Sequence, residues 1–83
     1  MRVIAEIPHE LFKISIFSWN GKFIIKIELD QFEQSFKIKE DDVSGLEDVK
    51  KIVDEEFLDV AFQNFLGMRK GFADAFNRMQ HNF

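Results

Sequence analysis

The chain has 83 residues, 46% of them hydrophobic, which suits one compact domain and argues against a disordered segment. It contains no cysteine, so disulfides, thiolate zinc sites and a cysteine nucleophile are excluded. The net charge of −4 arises in residues 40–56, where eight acids outnumber two lysines; this predicts a solvated loop and helix start or, alternatively, an acidic docking surface.

The first candidate element is a strand over residues 2–7, in which Val3, Ala5 and Ile7 alternate with the residues between them. Pro8 cannot donate a hydrogen bond to a sheet, so it ends this strand or confines it to an edge. Two arrangements stay open: the strand pairs with the one that follows, or it is a bent continuation of it.

The next element is a hairpin centred on Asn20 and Gly21, because Asn-Gly favours a two-residue turn with positive φ at both positions. This turn pairs Trp19 with Lys22 and Phe17 with Ile24. One face of the hairpin then becomes almost wholly apolar and the other mixed. A shift by one residue would destroy both patterns, so the register is predicted with the turn.

A further strand, which would pair with the second strand of this hairpin, is predicted over about 33–39, where apolar and polar residues alternate. A tight turn at Asp30 and Gln31 would pair Leu29 with Phe32 and continue the apolar face. The same register sets Glu28 opposite Glu33, which is mildly unfavourable.

After residue 39 the apolar period becomes helical. Ser44 and Glu47 fit a capping box that would begin a short helix over 44–53, and Asp54 fits the N-cap of a second, long helix over 54–80. The long helix carries an apolar stripe with spacings of three and four. Its residues are Leu58, Ala61, Phe62, Phe65, Met68, Phe72, Ala75, Phe76 and Met79.

Two glycines, Gly67 and Gly71, lie within the long helix and off the centre of its stripe. They are interpreted either as exposed residues that weaken or break the helix, or as a Gly-x-x-x-Gly pattern that lets another backbone approach closely.

No targeting, catalytic or metal-binding pattern is predicted. Lys13 and Ser15 interrupt the apolar run 11–19, so we expect neither a secretory signal nor a membrane span, and a cytoplasmic location follows. His9 and His81 lack metal-ligand spacing, and the acids at the start of the long helix suit its dipole. We therefore expect no enzyme activity, no metal and no cofactor.

These elements predict an α+β fold: a three- to four-stranded antiparallel meander with both helices on one face. Ile25, Phe36, Phe65 and Phe72 are expected to share its core. The opposite sheet face then carries Phe17, Trp19 and Ile24, unless the N-terminal segment or a helix end folds over it. The last turns of the long helix, with Phe76, Met79 and Phe83, would extend past the sheet.

The apolar residues on the opposite sheet face and on the last turns of the long helix favour a small non-catalytic protein-interaction or assembly module. Its candidate interaction surface consists of Phe17, Trp19, Ile24, Phe76 and Met79. A second copy of the chain or another protein is the expected partner. One alternative is a nucleic-acid-binding domain that uses the face of Trp19, Lys22 and Lys26; the acidic charge makes nucleic acid an unfavoured partner. Another alternative is a small-ligand-binding domain with a pocket among the Phe side chains.

Overall fold

The computed structural model describes residues 1–81 and shows the predicted α+β fold. A four-stranded antiparallel sheet, in the order of the chain, is followed by a 3-10 turn (Glu40–Asp42) and two helices. The bounds of the strands and helices are β1 (Arg2–Ile7), β2 (Lys13–Trp19), β3 (Lys22–Leu29), β4 (Phe32–Lys39), α1 (Leu46–Ile52) and α2 (Glu55–His81).

The Asn-Gly hairpin has the predicted register. Asn20 and Gly21 have φ angles of 51° and 73°, and Trp19 pairs with Lys22 at the end of the ladder. This left-handed conformation is accessible to Gly, which has no Cβ atom, and to Asn, whose short polar side chain can hydrogen-bond to the nearby backbone.

The β3–β4 turn also has the predicted register, with Leu29 opposite Phe32 and Glu28 opposite Glu33. Asp30 takes the positive φ of 55° that the tight turn requires. The unfavourable Glu28–Glu33 pair is relieved by Lys26, whose ammonium lies 3.1 Å from the Glu33 carboxylate.

The open question about residues 2–7 is answered by β1, which pairs antiparallel with β2 and forms one edge of the sheet. The register shifts between Val3 and Ala5, so the strand contains an irregularity of the β-bulge kind. Pro8 follows directly after the strand, as expected of a residue that cannot continue a ladder.

The core lies between one sheet face and both helices. Inward-facing isoleucines of β2 and β3 meet Val49 of α1 and Ala61 and Phe65 of α2. Fully burying each large apolar side chain contributes about 1.5–3 kcal/mol. The four sheet residues of this set are Ile14, Ile16, Ile25 and Ile27.

The start of α1 corrects the capping-box prediction. The N-cap is Gly45, with a φ of 146°, and the helix begins at Leu46, two residues later than predicted. Ser44 does not cap with its side chain; its backbone N–H donates to the Asp48 carboxylate at 2.8 Å. Because Asp48 takes up this N–H, the Ser44–Glu47 pair has no capping role.

The long helix begins as predicted and continues to His81. The backbone N–H of Phe57 donates to the Asp54 carboxylate at 2.8 Å, which is the side-chain N-cap bond. The helix does not break at Gly67 or Gly71; both are exposed, with open space where a Cβ atom would project.

Candidate interaction surfaces

The proximal half of α2, Glu55–Met68, is held against the sheet. Gln34 of β4 donates from its side-chain amide to the Ala61 carbonyl at 2.9 Å and accepts from the Asn64 amide at 3.3 Å. Phe65 is 2% exposed, and its ring lies 5.7 Å from that of Phe12. This half of the helix is therefore part of the core.

The distal half, Arg69–His81, extends past the end of the sheet. Arg69 forms an ion pair with Asp30 of the β3–β4 turn at 2.8 Å, and the Phe72 ring meets the Phe32 ring edge-on at 6.0 Å. Every residue from Arg69 to His81 is exposed, over a length of about 20 Å. The molecule measures 53 × 26 × 18 Å, and its radius of gyration of 15.5 Å exceeds the roughly 12 Å of a compact chain this long.

The apolar stripe of α2 continues along this projection. We call Phe72, Phe76 and Met79 the distal stripe; they are 52%, 46% and 48% exposed. Spacings of four and three place them on the same side of the helix as Phe65. The structure thus corrects one core prediction: Phe72 belongs to the surface, because the sheet ends at its partner Phe32. The predicted overhang of Phe76 and Met79 is present, and Phe83 lies outside the described residues.

The distal stripe has little charge beside it. Gly71, Ala73 and Ala75 flank it, and Arg69 at its inner end is bound to Asp30. The remaining charged residues of the distal half fall at least about 120° around the axis from Phe72. They are Lys70, Asp74, Arg78 and the titratable His81, with Lys70 and Asp74 paired at 2.9 Å.

The outer sheet face presents a smaller apolar surface than predicted. Trp19 is 43% exposed at the hairpin tip and Phe17 is half-buried, but Ile24 is only 6% exposed. Met1 and Lys37 line the same shallow hollow as Phe17 and Ile24. Ile24 is therefore buried by its own chain, and β1 does not fold over this face because it extends the sheet sideways.

Lys26, one of the residues of the alternative nucleic-acid surface, is held by its own chain. The ammonium of Lys26 donates a hydrogen bond to Glu33, which raises the pKa of Lys26 above its usual value. It also lies 5.9 Å from the Phe17 ring centroid, so this cation is already engaged by its own chain.

Two lysines that the sequence analysis did not assign to the outer face, Lys37 and Lys39, join Lys22 there. Lys39 stands directly opposite Lys22, and Lys37 opposite Ile24. The predicted turn at residues 30–31 already implies this register and could have identified both. The acidic 3-10 turn follows Lys39 immediately, so the cationic area is bounded by carboxylates.

Several Phe side chains of the described residues line an open surface hollow. Phe32, Phe62 and Phe65 line one surface hollow with Leu11 and Leu66, at the end of the sheet where α2 crosses it. Its charged groups are Asp30 and Arg69, which bind each other. A small ligand would therefore find apolar contacts there but few polar groups free to orient it.

His9 has a structural role in the β1–β2 connection. Its Nδ1 accepts the backbone N–H groups of Leu11 and Phe12 at 3.0 and 3.2 Å, and its ring stacks on Phe12 at 4.8 Å. Within residues 1–81, no three His, Asp or Glu side chains are grouped to hold a metal ion. In the same residues, neither helix has the length and hydropathy to cross a membrane.

Comparison of the chain with known protein families, curated proteins and solved structures finds no match.

Proposed function

We propose that this protein is a small non-catalytic assembly module that self-associates through the distal stripe of α2. The observation that carries the proposal is the continuation of the apolar stripe past the end of the sheet, where Phe72, Phe76 and Met79 are each about half exposed. Three large apolar side chains aligned on one projecting helix form a contiguous patch, which marks a contact surface more strongly than scattered exposed residues do.

The distal half has little to stabilise it within one chain. Isolated helices shorter than about 12–15 residues are marginal in water, and Gly71 lowers helix propensity further. Arg69 and Phe72 contact the β3–β4 turn and β4, and Gln31 of that turn borders Phe76, but every residue of the distal half is exposed. A partner surface packed on the distal stripe would bury these apolar side chains and thereby stabilise the projecting helix.

A second copy of the chain is the partner that the charges favour. The flanks of the distal stripe are small and uncharged, and Arg69 is neutralised by Asp30. Two identical stripes can therefore meet without like-charge repulsion at their centre. Closed two-fold dimers are also the commonest oligomers of soluble proteins.

The test is light scattering across a dilution series, from millimolar to micromolar chain. We expect twice the monomer mass at high concentration and dissociation on dilution. Phe76→Ser should shift dissociation to higher concentration, whereas the control Gln63→Ser should not, because residue 63 is exposed and lies about 180° from Phe72 around the axis. A wild-type chain that stays monomeric at millimolar concentration would contradict the proposal.

A further inference from the structure

The two edges of the sheet differ in how well they are protected from pairing with another strand. At one edge, β1 has a register shift between Val3 and Ala5 and is followed directly by Pro8, and both features hinder the addition of a strand. At the other edge, β4 pairs with β3 without a shift over its eight residues, and no further strand of residues 1–81 pairs with it. The open edge of the sheet is therefore β4.

Every second residue of β4 directs its backbone N–H and C=O groups away from β3. Leu29 and Phe32 flank the two-residue turn and form a hydrogen-bonded pair, as does every second pair along the ladder. The even-numbered residues of β4 therefore bond to β3, and the backbone groups of the odd-numbered residues point to the open edge. These odd-numbered residues are all exposed: Glu33, Ser35, Lys37 and Lys39.

The side chains at this edge favour a strand of one charge. Glu33 is paired with Lys26 at 3.1 Å, so its carboxylate is already compensated. Lys37 and Lys39 form no ion pair within residues 1–81, and Lys22 stands opposite Lys39. Lysines on an edge strand disfavour neutral and basic strands. A strand with carboxylates at two alternate positions would instead form an opposite-charge pair with each lysine.

The helix side of the same edge favours apolar side chains. Phe57 of α2 packs against Phe36 of β4, with ring centroids 5.0 Å apart. Asn64 binds Gln34, further along the strand, at 3.3 Å. Val60 lies between Phe57 and Asn64 on the helix, within about 60° of both around the axis, and it is 55% exposed. An added strand could therefore contact Val60 with the side chains that it directs towards α2.

We propose that β4 binds an extended segment of another protein, which adds to the sheet as a further antiparallel strand. Addition of a strand to a free edge is a common mode of peptide recognition, and antiparallel pairing is slightly the more stable per residue. The segment carries acidic side chains opposite Lys37 and Lys39 and apolar side chains at the positions between them. The carboxylates of the 3-10 turn, which follows Lys39, repel a longer acidic run.

A second copy of the chain matches this edge less well than such a segment. Its β1 is interrupted by the register shift. Its β4 would present one carboxylate, that of Glu33, which Lys26 already binds. The proposed site is also separate from the distal stripe, so it does not depend on self-association.

The first experiment measures amide hydrogen exchange of the isotope-labelled full chain by NMR, with a capped synthetic peptide of alternating valine and glutamate. In the free chain, the even-numbered amides of β4 should exchange slowly, and those of Ser35 and Lys37 rapidly. Saturating peptide should slow Ser35 and Lys37 on the order of tenfold or more. N-methylation of the glutamate amides should abolish binding, because these amides face β4 in an antiparallel pair, whereas N-methylation of the valine amides should not.

The second experiment reverses the charges. K37E/K39E should weaken binding of the glutamate peptide on the order of tenfold, as expected for the loss of two cross-strand charge pairs. The same variant should bind a valine–lysine peptide better than the wild-type chain does, which shows that it is folded. The control K51E/K70E makes the same change of net charge on the two helices and should leave both affinities unchanged.

Four outcomes would overturn the proposal. In dilute free chain, slow exchange of Ser35 and Lys37 would show that the chain itself covers the edge. Slow exchange only in concentrated chain would identify a second copy as the occupant. Failure of millimolar glutamate peptide to slow these amides would exclude the acidic strand, and binding of a thymidine oligonucleotide at the lysines in its place would assign them to nucleic acid. The F76S chain should bind the peptide as the wild type does, so failure of self-association is distinguished from failure of this site.

Discussion

In the proximal half of α2, Phe65 is 2% exposed; seven residues later, on the same side of the same helix, Phe72 is 52% exposed. The two halves carry the same apolar period but have different surroundings. Proximal residues share one core with the sheet and with Val49 of α1. The distal half meets the sheet at the β3–β4 turn, where Asp30 binds Arg69, Phe32 meets Phe72, and Gln31 lines a hollow with Phe72 and Phe76.

The difference arises from length. The eight residues of β4 span about 27 Å, whereas the 27 residues of α2 span about 40 Å. Because α2 starts beside Phe36, where the Phe57 and Phe36 rings meet at 5.0 Å, its excess length emerges at the other end of the sheet. The apolar period of a helix therefore predicts which of its faces is buried. The length of the neighbouring element decides how many residues of that face are buried.

The strongest test of this comparison is Phe65→Ala. It removes a buried ring from the proximal half and should destabilise the fold by about 3–5 kcal/mol, close to the whole stability of a domain this size. Chemical denaturation followed by circular dichroism measures the loss. A well-folded variant that loses less than about 1 kcal/mol would mean that the two halves of α2 do not differ in packing.

A second test weakens the sheet that supports only the proximal half. Gly21→Val should cost about 1–3 kcal/mol, since Gly21 has a φ of 73° that a β-branched residue adopts poorly. The cost comes from the backbone alone, because a Cβ atom there would meet open space. An unchanged denaturation midpoint would contradict the importance of this turn.

Phe72→Ala is the distal counterpart of Phe65→Ala. In dilute solution it should cost about 1–3 kcal/mol, the range for two aromatic pairs, because the half-exposed ring loses its contacts with Phe32 and Phe76. In concentrated solution it should weaken self-association. A loss equal to that of Phe65→Ala in dilute solution would place Phe72 in the core after all.

The smallest expected effects come from the two helix glycines, one in each half. Gly67→Ala and Gly71→Ala should each favour the helix by roughly 0.5–1 kcal/mol, since both sites have room for a methyl group. Gly67→Ala should raise the denaturation midpoint, because its half unfolds with the core. Gly71→Ala should mainly slow amide hydrogen exchange in residues 72–81; equal shifts of the midpoint would indicate that both halves unfold as one unit.

Much of the fold could be predicted from local patterns. The Asn-Gly turn specified the β2–β3 register, the alternation after Asp30 specified the β3–β4 register, and Asp54 marked the start of α2. The Ser44–Glu47 capping box was wrong because a neighbouring carboxylate, that of Asp48, competes for the same backbone N–H. Here the Asp48 carboxylate binds the Ser44 N–H, and Gly45 becomes the cap.

The candidate surfaces were predicted in part. Helical spacing placed Phe76 and Met79 on one stripe, and comparison of element lengths predicted their projection. Burial of Ile24 was predicted only as the alternative in which the N-terminal segment covers the outer face, and exposure of Phe72 was not predicted, because each depends on residues distant in sequence. Met1 and Lys37 line the hollow that contains Ile24, and the end of β4 at Phe32 leaves Phe72 uncovered.

The sequence by itself determined the elements, the hairpin registers and the side of each element that is apolar, because these depend on dihedral preferences and periods within a few residues. Only the tertiary structure decided that β1 pairs at the sheet edge and that the sheet stops beneath residue 72. Both outcomes depend on where separate elements end in space relative to one another. The same apolar period therefore forms a core along the proximal half of α2 and an exposed stripe along the distal half.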